Sequence, residues 1–176
     1  MSNKKNLFGW ASISENGTTQ GKKGNQTLRE VRTGYYYNFG QDVVIRFKNV
    51  LRGRKMAEII KYCCNKTFLG YGQPDRYDFF RFCASLDWKW KDVKEAIDNG
   101  TVPKCNTDCS MFAVIGINLA YGKEKISADT TTRNLLYKTV TLNKSNFKSL
   151  TVKQAEKKFH KGDMPLKAGK HVIINV

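Results

Sequence analysis

A chain of 176 residues, 40% hydrophobic and 12% aromatic, can build one domain with a substantial core and is too apolar for global disorder. Its net charge of +16, from 31 basic against 15 acidic residues, predicts attraction to polyanions, a class that includes nucleic acids and phosphate-bearing bacterial wall polymers. No run approaches the ~18 apolar residues of a membrane span, and five cysteines without a secretory signal argue against a full disulfide framework.

Residues 1–9 read as a loose leader, charged but lacking the apolar stretch of a signal peptide, so synthesis in a cytoplasm is expected. Residues 10–37 carry Gly17, Gly21, Gly24 and Gly34 among Thr, Asn and Ser, and read as loops wrapping the domain. Tyr35, Tyr36 and Tyr37 read first as core-edge residues. Residues 42–47 form an expected strand.

Met56, Ile59, Ile60, Cys63 and Cys64 fall at helical spacing, which predicts an amphipathic helix over 54–66 with both cysteines on its buried stripe. Residues 70–73 read as a turn, and residues 75–85 as a helix with Phe79, Phe80, Phe82 and Cys83 on its apolar side. Trp88, Lys89 and Trp90 alternate ring and base, more in keeping with tryptophans over a core than with a stacking platform for a sugar or base. A short helix over 92–97 stops at Asn99-Gly100.

Residues 105–110, Cys-Asn-Thr-Asp-Cys-Ser, then run abruptly into an apolar stretch reaching Ala120. Apolar side chains on every face predict a buried helix, and the polar residues before it are good N-caps. Cys109 therefore falls in the first turn, where unpaired N–H groups and the macrodipole favour a thiolate nucleophile. Cys105 and Cys109 could form a zinc pair only with two further ligands, which a chain with two histidines does not offer. A short helix is expected from about 129 to 136, a strand over 138–142, and a last helix from Thr151, with Gln154 at capping-box spacing, to about Phe159. Residues 162–176 read as turn, extended piece, turn, and a strand led by His171. His160 lies among lysines and reads as solvated. A cysteine at a helix start and a histidine on a strand can share a proton, as thiol hydrolases require.

Asp108-Cys109-Ser110 before an apolar helix, then Gly162-Asp163 and Gly169-Lys170-His171-Val172-Ile173, resembles the NlpC/P60-type cysteine peptidases, and in particular a phage lysin subgroup. The segments 11–17, 21–27, 32–38, 43–46 and 70–73, with Arg76 nearby, resemble that subgroup in order, so the likeness spans roughly residues 10–176. It implies an α+β, papain-like domain in which a buried helix carrying Cys109 packs on a small antiparallel sheet carrying His171. It implies hydrolysis of amide bonds in peptidoglycan stem peptides, with Cys109 as nucleophile, His171 as base then acid, and Asp108, Ser110 and Tyr71 positioning substrate. By resemblance Tyr35–Tyr37 could also line the groove leading to the site. No cofactor or metal is implied.

The implied partner is bacterial peptidoglycan, with other phage tail proteins or a C-terminal domain beyond it. The wall would be reached at lysis or as part of a virion. Three departures stand out: Met111 where a small residue is usual, Asn25 where aspartate is usual, and no residue after His171 suited to orient it, Asn175 being four positions away on the same strand. They keep open a catalytically inactive wall-binding or virion domain. Charge alone keeps open nucleic-acid binding, for which no motif is present.

Overall fold

The computed structural model describes residues 6–176; the first five residues of the expected leader lie outside the described residues. Strand β1, Leu7–Ala11, takes residues 7–9 of the expected leader into a sheet and pairs antiparallel with β2, Val31–Tyr35, in a stretch expected as loops. The expected strand is β3, Val43–Phe47, and the amphipathic helix is α1, Val50–Cys64. Asn49 caps α1 by accepting from the N–H groups of Leu51 and Arg52. Cys63 and Cys64 lie on its buried face, and all five cysteines are free thiols.

The segment read as a turn is instead strand β4, Leu69–Tyr71. Helices α2, Asp78–Ser85, and α3, Trp90–Asp98, follow. Trp88 is buried edge-on against Phe80 and Trp90 packs on Tyr62, as expected of core-covering rings. Strand β5, Cys105–Thr107, pairs parallel with β4 and delivers the chain to α4, Cys109–Tyr121. Residues 109–120 of α4 are all buried, as its unbroken apolar composition predicts.

The expected strand over 138–142 does not form: residues Tyr137–Thr141 make a π-helical stretch in which the Thr139 hydroxyl donates to Leu135 O at 2.7 Å. After β6, Phe147–Leu150, the expected capping box opens α5, Val152–Lys157. The C-terminal segment gives β7, Met164–Lys167, β8, His171–Val172, and β9, Ile174–Asn175. The single strand expected there is thus split at Ile173 between two sheets.

The sheets run β2-β1-β9 and β6-β3-β7-β8, both antiparallel, with β4-β5 a separate parallel pair. The architecture is mixed α and β with small, largely antiparallel sheets around one buried helix. Strand β3 serves two cores by alternation: Ile45 joins the main core with α1 and α4, while Val44 joins a smaller cluster with Phe8, Trp10 and Phe159. Helix α4 packs on α1, α2, β1 and β8, so its first residue is held beside the β7–β8 hairpin.

Candidate active site

Asp108 has extended backbone and caps α4. One carboxylate oxygen, Oδ1, accepts from Met111 N at 2.7 Å and Ser110 Oγ at 2.8 Å. The other, Oδ2, is paired with Arg76 Nη1. Arg76 also donates to Thr130 O at 2.5 Å and to Ser110 Oγ at 3.3 Å, and its guanidinium lies over Tyr77. Arg76 and Asp108 are both less than 10% exposed. Their pairing ties the α2 approach, the start of α4 and the loop at 128–130 into one unit. Sequence reasoning gave Arg76 no role of its own; only its proximity to the Gly-Tyr-Gly-Gln stretch marked it.

Cys109 therefore stands at a rigidly built helix start. It lines a cleft of about 520 Å³ together with Gln73, Tyr77, Thr132, Arg133 and Lys170. Asp108 and Ser110 line the same cleft, but their polar atoms are engaged by the cap and by Arg76. Tyr71 is buried outside the cleft lining, and its hydroxyl accepts from Gln73 Nε2 at 3.3 Å. The backbone N–H groups of Cys109, Ser110 and Val172 all act on the sulfur in the direction of the thiolate.

That direction is outweighed. Burial, reinforced by the Asp108 carboxylate, pushes the Cys109 thiol up to about 12. The thiolate expected at the helix N-terminus is therefore not favoured: desolvation of Cys109, a residue only 8% exposed, exceeds what the first-turn amides return.

His171 opens β8, one residue after Lys170 of the cleft lining and one before Val172, whose amide favours the Cys109 thiolate. Phe39 meets its ring edge-on at 5.4 Å between centroids, Tyr37 lies 5.4 Å from Phe39, and the Tyr37 phenol feels Cys109. His171 follows Gly169 and Lys170 of the cleft lining but is not itself part of it, and no hydrogen bond joins it to Cys109. Burial lowers the imidazole to about 4, so at neutral pH it is uncharged, and its buried Nε2 has no hydrogen-bond partner. Asn175 does not orient it, since its amide donates to His160 O at 3.0 Å on β9. Tyr36 is tied instead to Glu156, at 2.7 Å, and Tyr35 points outward, 67% exposed. None of the tyrosine run lines the Cys109 cleft; Tyr37 lines a separate groove with Trp10, Ser12 and Arg32.

Other residues of the resemblance serve the scaffold. Asn25 donates to Val31 O at 2.7 Å and accepts from Glu30 N at 3.3 Å, a turn-binding role that needs an amide's donor. Arg46 forks onto Asp163 at 2.8 and 2.6 Å, fixing the chain ahead of β7. Cys105 is buried with Cys83 and Cys63 as electrostatic neighbours, does not line the cleft, and burial raises its thiol well above the ordinary range. Among the described residues no cluster of His, Cys, Asp or Glu could hold a metal ion, and no helix is long and apolar enough to cross a membrane.

A family model described as an endolysin-like domain matches residues 8–176. No curated protein and no solved structure matches the chain.

Proposed function

Since the chain belongs to the endolysin-like domain family, we propose that it is a peptidoglycan hydrolase that cleaves stem-peptide amide bonds through an acyl-enzyme on Cys109. The observation that carries this reading is Cys109 at a capped helix start, in the wall of a cleft that Gly169 and Lys170 also line, with His171 next in the chain to Lys170.

The reaction runs as follows. The Cys109 sulfur attacks the scissile carbonyl carbon while its proton passes to His171. With the free thiol at about 12 and the imidazole at about 4, the resting pair is neutral, so this transfer accompanies attack. The carbonyl oxygen gains the negative charge and is held by the Cys109 N–H at the helix N-terminus. Collapse expels the amine, which takes the proton from His171. Water, deprotonated by His171, then releases the acid and restores the thiol. The Asp108–Ser110 pair braced by Arg76 shapes the cleft wall against which the peptide lies, and Tyr71, behind that wall, positions Gln73 in it. The protein would meet the wall at lysis or as part of a virion.

A second reading is favoured by one observation: no side chain among the described residues hydrogen-bonds the imidazole, as expected of a wall-binding relative without catalysis. Loss of turbidity of purified cell walls, together with labelling by a thiol-directed probe, separates the two. Both signals are expected in the native protein and neither in Cys109→Ala. Wall binding by both proteins, with no turbidity loss by either, would favour the second reading. Nucleic-acid binding rests on charge, and predicts tight association with DNA at physiological salt with no wall affinity.

A further inference from the structure

The cleft beside Cys109 is lined by three cations and one anion. One cation, Arg76, is neutralised by Asp108. The other two, Arg133 and Lys170, form no ion pair with a described residue, although Lys170 acts at longer range on Asp42, which is itself paired with Lys167 at 2.6 Å. They arrive from different elements. Lys170 belongs to the β7–β8 hairpin, whose turn needs the left-handed conformation of Gly169 (φ 72°). Arg133 comes from the loop after α4, where Asn134 Oδ1 accepts from Thr131 N at 2.7 Å and the Thr131 hydroxyl accepts from Arg133 N at 3.3 Å. The stem of Arg133 lies across Gly169: a β-carbon there would sit 3.5 Å from its Cγ.

Two exposed cations from separate elements thus meet at one rim of the cleft that holds the sulfur, and the only acid in the lining is already paired. We infer that Arg133 and Lys170 form a carboxylate-recognition site that selects acidic peptides, here stem peptides with free carboxylates over their carboxamide forms. A guanidinium and an ammonium supply forked and point-charge donors to such a group. The inference takes its substrate from the hydrolase reading, but its binding claim can be measured without turnover.

The experiment uses Cys109→Ala protein and a matched pair of synthetic stem peptides, one with free carboxylates and one with carboxamides. Affinities are read by calorimetry at low and at physiological ionic strength. The carboxylate peptide is expected to bind roughly tenfold tighter at low salt, with the advantage shrinking as salt rises. Arg133→Gln combined with Lys170→Gln should bring the ratio to about one, and Lys170→Glu should favour the carboxamide; Lys170→Arg should keep the native preference. A purely structural role for these residues would not move the ratio. Equal affinity for the two peptides, or binding of neither, would overturn the inference whether or not the native protein cleaves walls. A clear carboxylate preference in a protein whose native form cleaves nothing would leave the inference standing and defeat the hydrolase reading.

Discussion

Replacing Arg76 by alanine should be among the most damaging single changes available outside the apolar core. The substitution strands the Asp108 carboxylate, whose side chain is 8% exposed, with only the Ser110 hydroxyl and the Met111 amide as partners. It also removes the donor that satisfies Thr130 O at 2.5 Å in a residue with no exposure. Breaking a buried pair from one side costs about 3–5 kcal/mol, because the surviving charge stays desolvated. With a typical domain stability of about 5–15 kcal/mol, that is a large share.

Urea unfolding followed by tryptophan fluorescence would measure the loss. Asp108→Asn should cost less, since asparagine still caps a helix. Combined with Arg76→Met it should recover part of the loss, as a double-mutant cycle shows for groups in contact. The reasoning would be refuted if Arg76→Ala unfolded within about 0.5 kcal/mol of the native protein, the range of an ordinary surface substitution.

Three further outcomes follow from the same structure. Gly70→Ala should destabilise by about 3 kcal/mol, the upper end of overpacking costs, because its β-carbon would lie 2.2 Å from Gly24 O, a backbone atom unable to swing aside; thermal unfolding would report it as a drop of several degrees. Burial holds His171 at about 4 when folded against an ordinary 6.5, so the unfolded chain binds the extra proton first as pH falls. Its contribution is therefore complete above pH 6.5 and is lost, on the order of 3 kcal/mol, between 6.5 and 4; His171→Gln should flatten that part of the stability profile, and an unchanged profile would show the imidazole to be solvated. Alkylation of Cys109 by a small neutral reagent should climb with pH without levelling off below about 10, as a thiol raised to about 12 requires; a plateau near pH 7 would mean a thiolate already formed.

The parts of the fold that were legible in the sequence are those with one dominant local signal. Helix α4 was readable because Asp108 stands at a sharp boundary between polar and apolar runs, and α5 because Thr151 and Gln154 fix its first turn. Strands β4 and β5 were not, since Gly70 and Gly72 look like a turn when only the chain itself is visible. In the structure Gly70 serves the close approach of the Gly24 carbonyl, a contact 46 residues away in sequence. Strand β1 is buried on nearly every residue and so shows no alternation to read. The segment at 138–142 alternates like a strand, but the preceding helical turn at 135–136 carries it into a π-helix.

The candidate site divides the same way. The helix start and the histidine-led strand could be located by pattern. The neutral state of the thiol depends on how deeply Cys109 is enclosed, and enclosure is a property of the packed chain. The cationic rim depends equally on Arg133 meeting the Gly169–Lys170 turn, which no local pattern encodes.

The proposed cleavage of wall peptide amides by Cys109 is tested most directly by the groups a digest sets free. Purified peptidoglycan digested with the native protein should release new amino groups without new sugar reducing ends, and Cys109→Ala should release neither. Reducing ends in the digest, or undiminished release by Cys109→Ala, would contradict it.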